Sequence, residues 1–245
     1  MNDPMNDTAR QPVRGFPAFP RVKPRTPFGR TRWGRAWLEA LTTSSLDSDA
    51  LARGRTLARS GAVGSITVSP GRLGAAVLAA DDDVAHASVV VERFSTERWA
   101  TLLAELARST GHLAALVDGA LPPELIAASH DAGTPLLPGI GELEPSCTCD
   151  DWGFPCPHAA ALCYQAGWLL DTDPMLVFLL RGRGADDVVV ELERHARAEP
   201  SPACDDTPAG LTADTLDELI ALAAQRATTL LETSRQGTDR QNVSG

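Results

Sequence analysis

"CTCDDWGFPCPHAAALCY", residues Cys147–Tyr164, packs four of the chain's five cysteines into seventeen residues and runs on into alanines. Cys147-Thr148-Cys149 is an i, i+2 pair. In extended backbone alternate side chains share a face, so both sulfurs can address one atom. Cys156-Pro157-His158 repeats the spacing with one thiol and one imidazole. Between the pairs, "DDWGFP" supplies Gly153 and Pro155, the chemistry of a turn. Three thiolates and one neutral imidazole make a closed tetrahedral donor set, which suits structural zinc. Proline is favoured at the first helical position, and "HAAALCYQ" has high helix propensity. Pro157 therefore opens a helix, with His158 on its first turn beside the site. Three thiolates on a divalent cation leave about −1 of charge, which a helix N-terminus favours by a few tenths to ~1 kcal/mol.

The rest of the chain supports that reading by what it lacks. Its 245 residues are 43% hydrophobic and 22% charged, an ordinary globular balance with enough chain to bury a core. Net charge is −10, unevenly spread: residues 1–60 hold eleven Arg/Lys against five Asp/Glu, or +6, leaving −16 for residues 61–245. That asymmetry excludes a uniformly basic nucleic-acid binder. No stretch approaches the roughly eighteen apolar residues of a membrane span, and the N-terminus has no apolar signal core. A cytoplasmic, non-membrane protein is the expectation, and there clustered thiols stay reduced and available to metal.

Working outward from the cluster, residues 1–30 are rich in Pro and Arg and read as a disordered or extended basic arm. Residues 31–140 read as an α+β domain. "WGRAWLEAL" places Trp33, Trp37 and Leu41 on one helical stripe, and "SDALARGRTLARSG" is a second helix with Gly61 as its C-cap. From Ala62 the period changes: Ile66 and Val68 alternate with polar residues, "SPGR" is a turn, and "ASVVVERF" is rich in β-branched residues. A small antiparallel meander fits, with "ADDD" at a hairpin tip. "STERWATLLAELARS", "GHLAALVDGA" and "PPELIAASHDAG" read as three helices. Residues 141–198 hold the cysteine cluster and following helices, including "TDPMLVFLLRG". Residues 199–210 read as a linker, 211–235 as a C-terminal amphipathic helix, and 236–245 as a disordered tail.

"CTCDDWGFPCPH" resembles the CxC–CxH signature of the SWIM zinc finger family. "WGRAWLEAL", "RGRTLARSGAV", "FSTERWATLL", "HDAGTPLLP" and "DPMLVFLLRG" are similar to blocks of bacterial SWIM-containing proteins, so the resemblance spans roughly residues 30–183. It implies a ββα finger with Cys147, Cys149, Cys156 and His158 as ligands of one zinc. It also implies a role in binding protein or nucleic acid, with bacterial members often associated with Snf2-type helicase-like ATPases.

Other residues have plainer readings. Cys163 lies about 140° round the helix from His158 and belongs to the core. Cys204 is an exposed bystander, and His86, His112, His130 and His195 serve caps, turns or surface. Asp150 and Asp151 either support a ligand by hydrogen bonding or form a solvated turn. Trp152 is expected to pack the finger against the domain. Arg14, Arg21, Lys23, Arg25, Arg30, Arg32 and Arg35, interleaved with Phe16, Phe19 and Phe28, are either a solubilising tail or a nucleic-acid contact within residues 10–35. From Gly141 to Leu180 there are six acidic residues and no Lys or Arg, which favours a protein partner for the finger. A closed zinc, with no phosphate loop or nucleophile elbow elsewhere, points away from an enzyme.

Overall fold

The structure, a computed structural model, describes residues 12–79 and 83–198. The hairpin tip at 80–82, Cys204, the linker, the C-terminal amphipathic helix and the tail lie outside the described residues.

Sheet formation starts from alternation. In β2 (Ile66–Ser69), β3 (Arg72–Leu78) and β4 (Val84–Val91), buried Ile66, Val68, Leu73, Val77, Ala85, Ala87, Val89 and Val91 alternate with more open residues. One face is therefore apolar and covered. Gly71, with φ of 74°, closes the tight β2–β3 turn that "SPGR" announced. With β1 (Arg14–Phe16) and β5 (Leu143–Cys147), these strands form one antiparallel sheet in the order β1-β2-β3-β4-β5.

The apolar face packs on α6 (Pro157–Thr172), whose residues from Ala159 to Leu170 are all buried. A helix buried on every side must be apolar all round, which "AAALCY" and "AGWLL" provide. Against α6 lie α1 (Arg32–Ser44) and α2 (Ser48–Ser60). α1 buries the stripe Trp33, Trp37 and Leu41, and α2 ends at Gly61 in the left-handed conformation, φ 83°. Trp37 Nε1 donates to the Cys163 carbonyl at 3.0 Å, and Gln165 Nε2 donates to the Ala58 carbonyl at 2.8 Å. Beside this stack, α3 (Thr96–Ala107) contacts α4 (Thr110–Val117), α5 (Glu124–Asp131) and α8 (Ala185–Ala198), and α7 (Leu176–Leu180) meets β2. Ser95 caps α3 by accepting from the Arg98 N–H.

Two expectations are corrected. Over residues 12–30 the N-terminal segment is no free arm. β1 pairs with β2 through Arg14↔Val68, Gly15↔Thr67 and Phe16↔Ile66. Phe28 stacks on Trp168 with centroids 4.7 Å apart, and Phe19 tilts against the same ring at 5.2 Å. The carboxylate of Asp171 accepts from the Arg30 and Thr31 N–H groups, each at 2.7 Å. Proline and charge forbid a helix here, but three phenylalanines give an extended chain enough apolar surface to dock on a neighbouring core.

Nor does a domain boundary fall at 140/141. β5 pairs with β4 from Val91↔Leu143 to Ala87↔Cys147, so the cluster's strand belongs to the same sheet as the meander. The described residues, 12–79 and 83–198, fall in one compact unit. Arg181, fully buried, fastens the junction: it donates to the carbonyls of Leu136, Glu92 and Pro135 and to Glu142 Oε2, between 2.8 and 3.0 Å. Among the described residues, no helix is long and apolar enough to cross a membrane.

Candidate metal centre

Cys147 ends β5 on the sheet's inner side, opposite Ala87. Strand-like pairing continues one residue further. The Thr148 N–H donates to the His86 carbonyl at 3.2 Å, and the His86 N–H donates to Thr148 Oγ1 at 2.9 Å. The chain bends from Thr148 to Asp150, and the bend brings Cys149 back beside Cys147 in one donor group. The chain then reverses. Asp151 Oδ1 accepts from the Gly153 N–H at 2.9 Å, and Asp151 pairs with Arg53 of α2 at 3.5 Å. The Phe154–Pro155 peptide is cis. Cys156 is the N-cap of α6, with Sγ 3.5 Å from the Ala159 N–H, and Pro157 occupies the first helical turn as the sequence predicts.

The structure brings all four predicted residues together: one donor atom from each of Cys147, Cys149, Cys156 and His158 lies within 4.8 Å of the others. Two observations test whether a divalent cation fits. Burial pushes the Cys156 thiol up to about 12, helped by the neighbouring Cys149 and Cys147 sulfurs and opposed by the Ala159 N–H. Cys147 is also raised, again chiefly by burial. The Cys147 and Cys156 thiols thus lack a neighbouring positive charge that would favour their thiolates. In addition, His158 Nδ1 is buried without a hydrogen-bond partner. A cation answers both needs, and the three-sulfur, one-nitrogen set matches zinc.

Neighbouring residues sort cleanly. Cys163 is fully buried, pushed up to about 12 by burial and by the Cys156 charge, and stands outside the donor group, a core residue as its helical angle predicts. Among the described residues, His86, His112, His130 and His195 join no metal-binding group. Asp151 holds the turn and its ion pair with Arg53, while Asp150 is exposed. Trp152 corrects its expectation. It does not pack against the domain but is 99% exposed, with Phe154 58% exposed two residues on. Sequence reasoning missed Arg53, because nothing local signals a partner so distant in the chain. It also missed Arg181, whose buried charge has no periodic signature.

The family model of the SWIM zinc finger matches residues 131–167, from the end of α5 through most of α6. The chain is 29% identical over 198 residues to "Uncharacterized protein Rv2102" of Mycobacterium tuberculosis (strain ATCC 25618 / H37Rv), covering 79% of this chain and 71% of that one. No solved structure matches significantly. With the donor group centred in the matched segment, the chain carries a SWIM-type zinc finger at residues 131–167.

Proposed function

We propose that this protein is a non-catalytic, zinc-binding interaction module. One structural zinc, held by Cys147, Cys149, Cys156 and His158, fixes a loop that binds a partner protein. The finger contributes β5 and α6, and a ββα unit is completed only by β4 of the larger sheet, which pairs with β5 from outside residues 131–167. Four protein donors leave no open position for water or substrate, so the metal's contribution is folding energy rather than chemistry.

The observation that carries this reading is the pair Trp152 and Phe154, turned to solvent on the loop whose donors face inward. Aromatic residues anchor protein interfaces, and a rigid loop presents them at little ordering cost. The acidic character of the region adds less than its sequence suggests. Glu142, Asp151 and Asp173 pair with Arg181, Arg53 and Arg14, and Asp171 binds backbone, which leaves Glu144 and Asp150 free of such bonds among the described residues. The family resemblance favours an Snf2-type helicase-like ATPase as the partner, met in the cytoplasm where the thiols remain reduced.

The test is capture of that ATPase from native cytoplasm by the zinc-loaded full chain. Wild type retains it. Trp152→Ala with Phe154→Ala loses it at unchanged zinc content, and Cys156→Ser loses both partner and metal. Full capture by the double variant would defeat the proposal.

A further inference from the structure

A second feature arises where the N-terminal segment meets α2. Val22 donates its N–H to the Arg59 carbonyl at 2.9 Å, and Arg59 Nε donates to the Thr26 carbonyl at 3.0 Å. Residues 22–26 are thereby clamped along the C-terminal end of α2. Between them lies a hollow of about 150 Å³, lined by Arg21, Val22, Pro24, Thr56, Arg59 and Ser60. At roughly 30 Å³ per water, that space takes a few waters or one tetrahedral oxyanion.

Its cations are held in place without being neutralised. The Arg59 guanidinium lies 4.3 Å from the Phe28 ring, and that of Arg55, one helical turn earlier, lies 5.7 Å from the Tyr164 ring. Phe28 in turn packs on Tyr164 and Trp168 of α6. Stacking on rings orients a guanidinium but leaves its N–H edges available. Among the described residues, no carboxylate forms an ion pair with Arg21, Lys23, Arg25, Arg55 or Arg59. Burial and the adjacent Arg55 charge hold the Arg59 guanidinium below its ordinary range, with Tyr164 opposing. The helix end itself repels anions, but with only about half a charge, against Arg21 and Arg59 lining the hollow, Lys23 and Arg25 beside them in the chain, and Arg55 one helical turn before Arg59. Thr56 and Ser60 already donate their hydroxyls to the Ala52 and Leu57 carbonyls, so the donors to an incoming oxyanion are the arginines.

We propose that this hollow is a phosphate site for a nucleic-acid backbone, in which Arg21 and Arg59 hold one phosphate while Arg55, Lys23 and Arg25 meet its neighbours. This goes beyond the adaptor reading and uses a different surface. A strand suits the site better than a small phosphorylated molecule because exposed cations continue along the segment at Arg30, Arg32 and Arg35, beyond the hollow's reach. The nearby rings are occupied by arginines and by one another, so no surface remains to read bases, and binding is independent of sequence.

Fluorescence anisotropy of labelled mixed-sequence DNA, duplex and single-stranded, with the zinc-loaded full chain, tests this. Arg21→Gln and Arg55→Gln should each weaken binding equally for all sequences and lower the slope of log K against log salt by about 1. Arg59→Lys, which keeps the charge, should retain most of the affinity. Arg197→Gln, an arginine paired with Glu193 on α8, should change neither, and zinc content reports whether each variant is folded. Trp152→Ala should bind as wild type does, which separates this site from the protein-binding loop. Absence of wild-type binding to either DNA, or unchanged affinity and salt slope in Arg21→Gln and Arg55→Gln, overturns the proposal. So does displacement of the DNA by inorganic phosphate at matched phosphate concentration, which would mark a site for a small anion.

Discussion

Gly54 of α2 faces Ala160 of α6 with no room for a side chain: a methyl on Gly54 would stand 2.5 Å from the Ala160 Cβ and 3.0 Å from the Pro157 carbonyl oxygen. Both helices would have to separate to admit it. Gly54→Ala should therefore destabilise the fold by about 1–3 kcal/mol, despite alanine's better helix propensity. Because Pro157 lies between two metal donors, the same variant should bind zinc more weakly. Adding Ala160→Gly should restore part of both losses. Denaturant midpoints and a competitive zinc chelator read the two quantities.

Removing the metal is the broadest perturbation. The donors sit at the end of an outer strand and at the start of the central helix, so a cation held there would bridge β5 and α6 across the nine-residue loop that links them. Cys156→Ser and His158→Ala should abolish zinc by elemental analysis and lower the thermal midpoint, because metal affinity at such a site is folding energy. Cys163→Ala, outside the donor group, should keep full zinc and lose only core packing.

Arg181→Met should cost about 3–5 kcal/mol, because it strands buried carbonyls and Glu142 at once. Phe94 stacks 4.7 Å from the guanidinium carbon, so the loss includes packing as well as hydrogen bonds. Arg181→Lys should recover little, since one ammonium cannot span three carbonyls and a carboxylate.

Glu142 gives the partnership a pH dependence. Burial alone would raise its carboxyl, but hydrogen bonds from Arg181 and the Gly139 N–H, with the charges of Arg181 and Arg98, outweigh this and hold it below the ordinary carboxylate range. A depressed folded value means the stabilisation is complete above the unfolded value of about 4.3 and is lost as pH falls through the folded one. Glu142→Gln should therefore be less stable than wild type at neutral pH, and the gap should close in acid. Urea titrations at several pH values measure it.

Trp152→Ala should leave stability within about 0.5 kcal/mol, since the indole buries almost nothing. Thermal melts of the zinc-loaded proteins check this.

The gathering of Cys147, Cys149, Cys156 and His158 was legible in the sequence because two i, i+2 pairs and a proline-started helix lie within a dozen residues. The tryptophan stripe of α1, the Gly61 cap and the alternation of the meander were legible for the same reason: each is a local period. What escaped was set by distance. Phe19 and Phe28 looked like parts of a tail until Trp168 and Tyr164 were beside them, Phe16 until β1 joined the sheet, and Arg181 showed no role until four acceptors from three segments converged. Trp152 misled in the opposite direction, because hydrophobicity alone suggests burial and the indole is exposed.

β1 and β5 are the two margins of the sheet, and neither offers a template on which a foreign chain could readily grow. β1 is three residues long with a glycine at its centre. β5 carries Pro145 opposite Val89, which deprives that rim of a donor midway, and its far end, Cys147, belongs to the candidate donor group. An edge this short or interrupted resists strand addition. A cation held at the donor group would therefore also guard against self-association, by fastening the one rim whose other defence is a single proline.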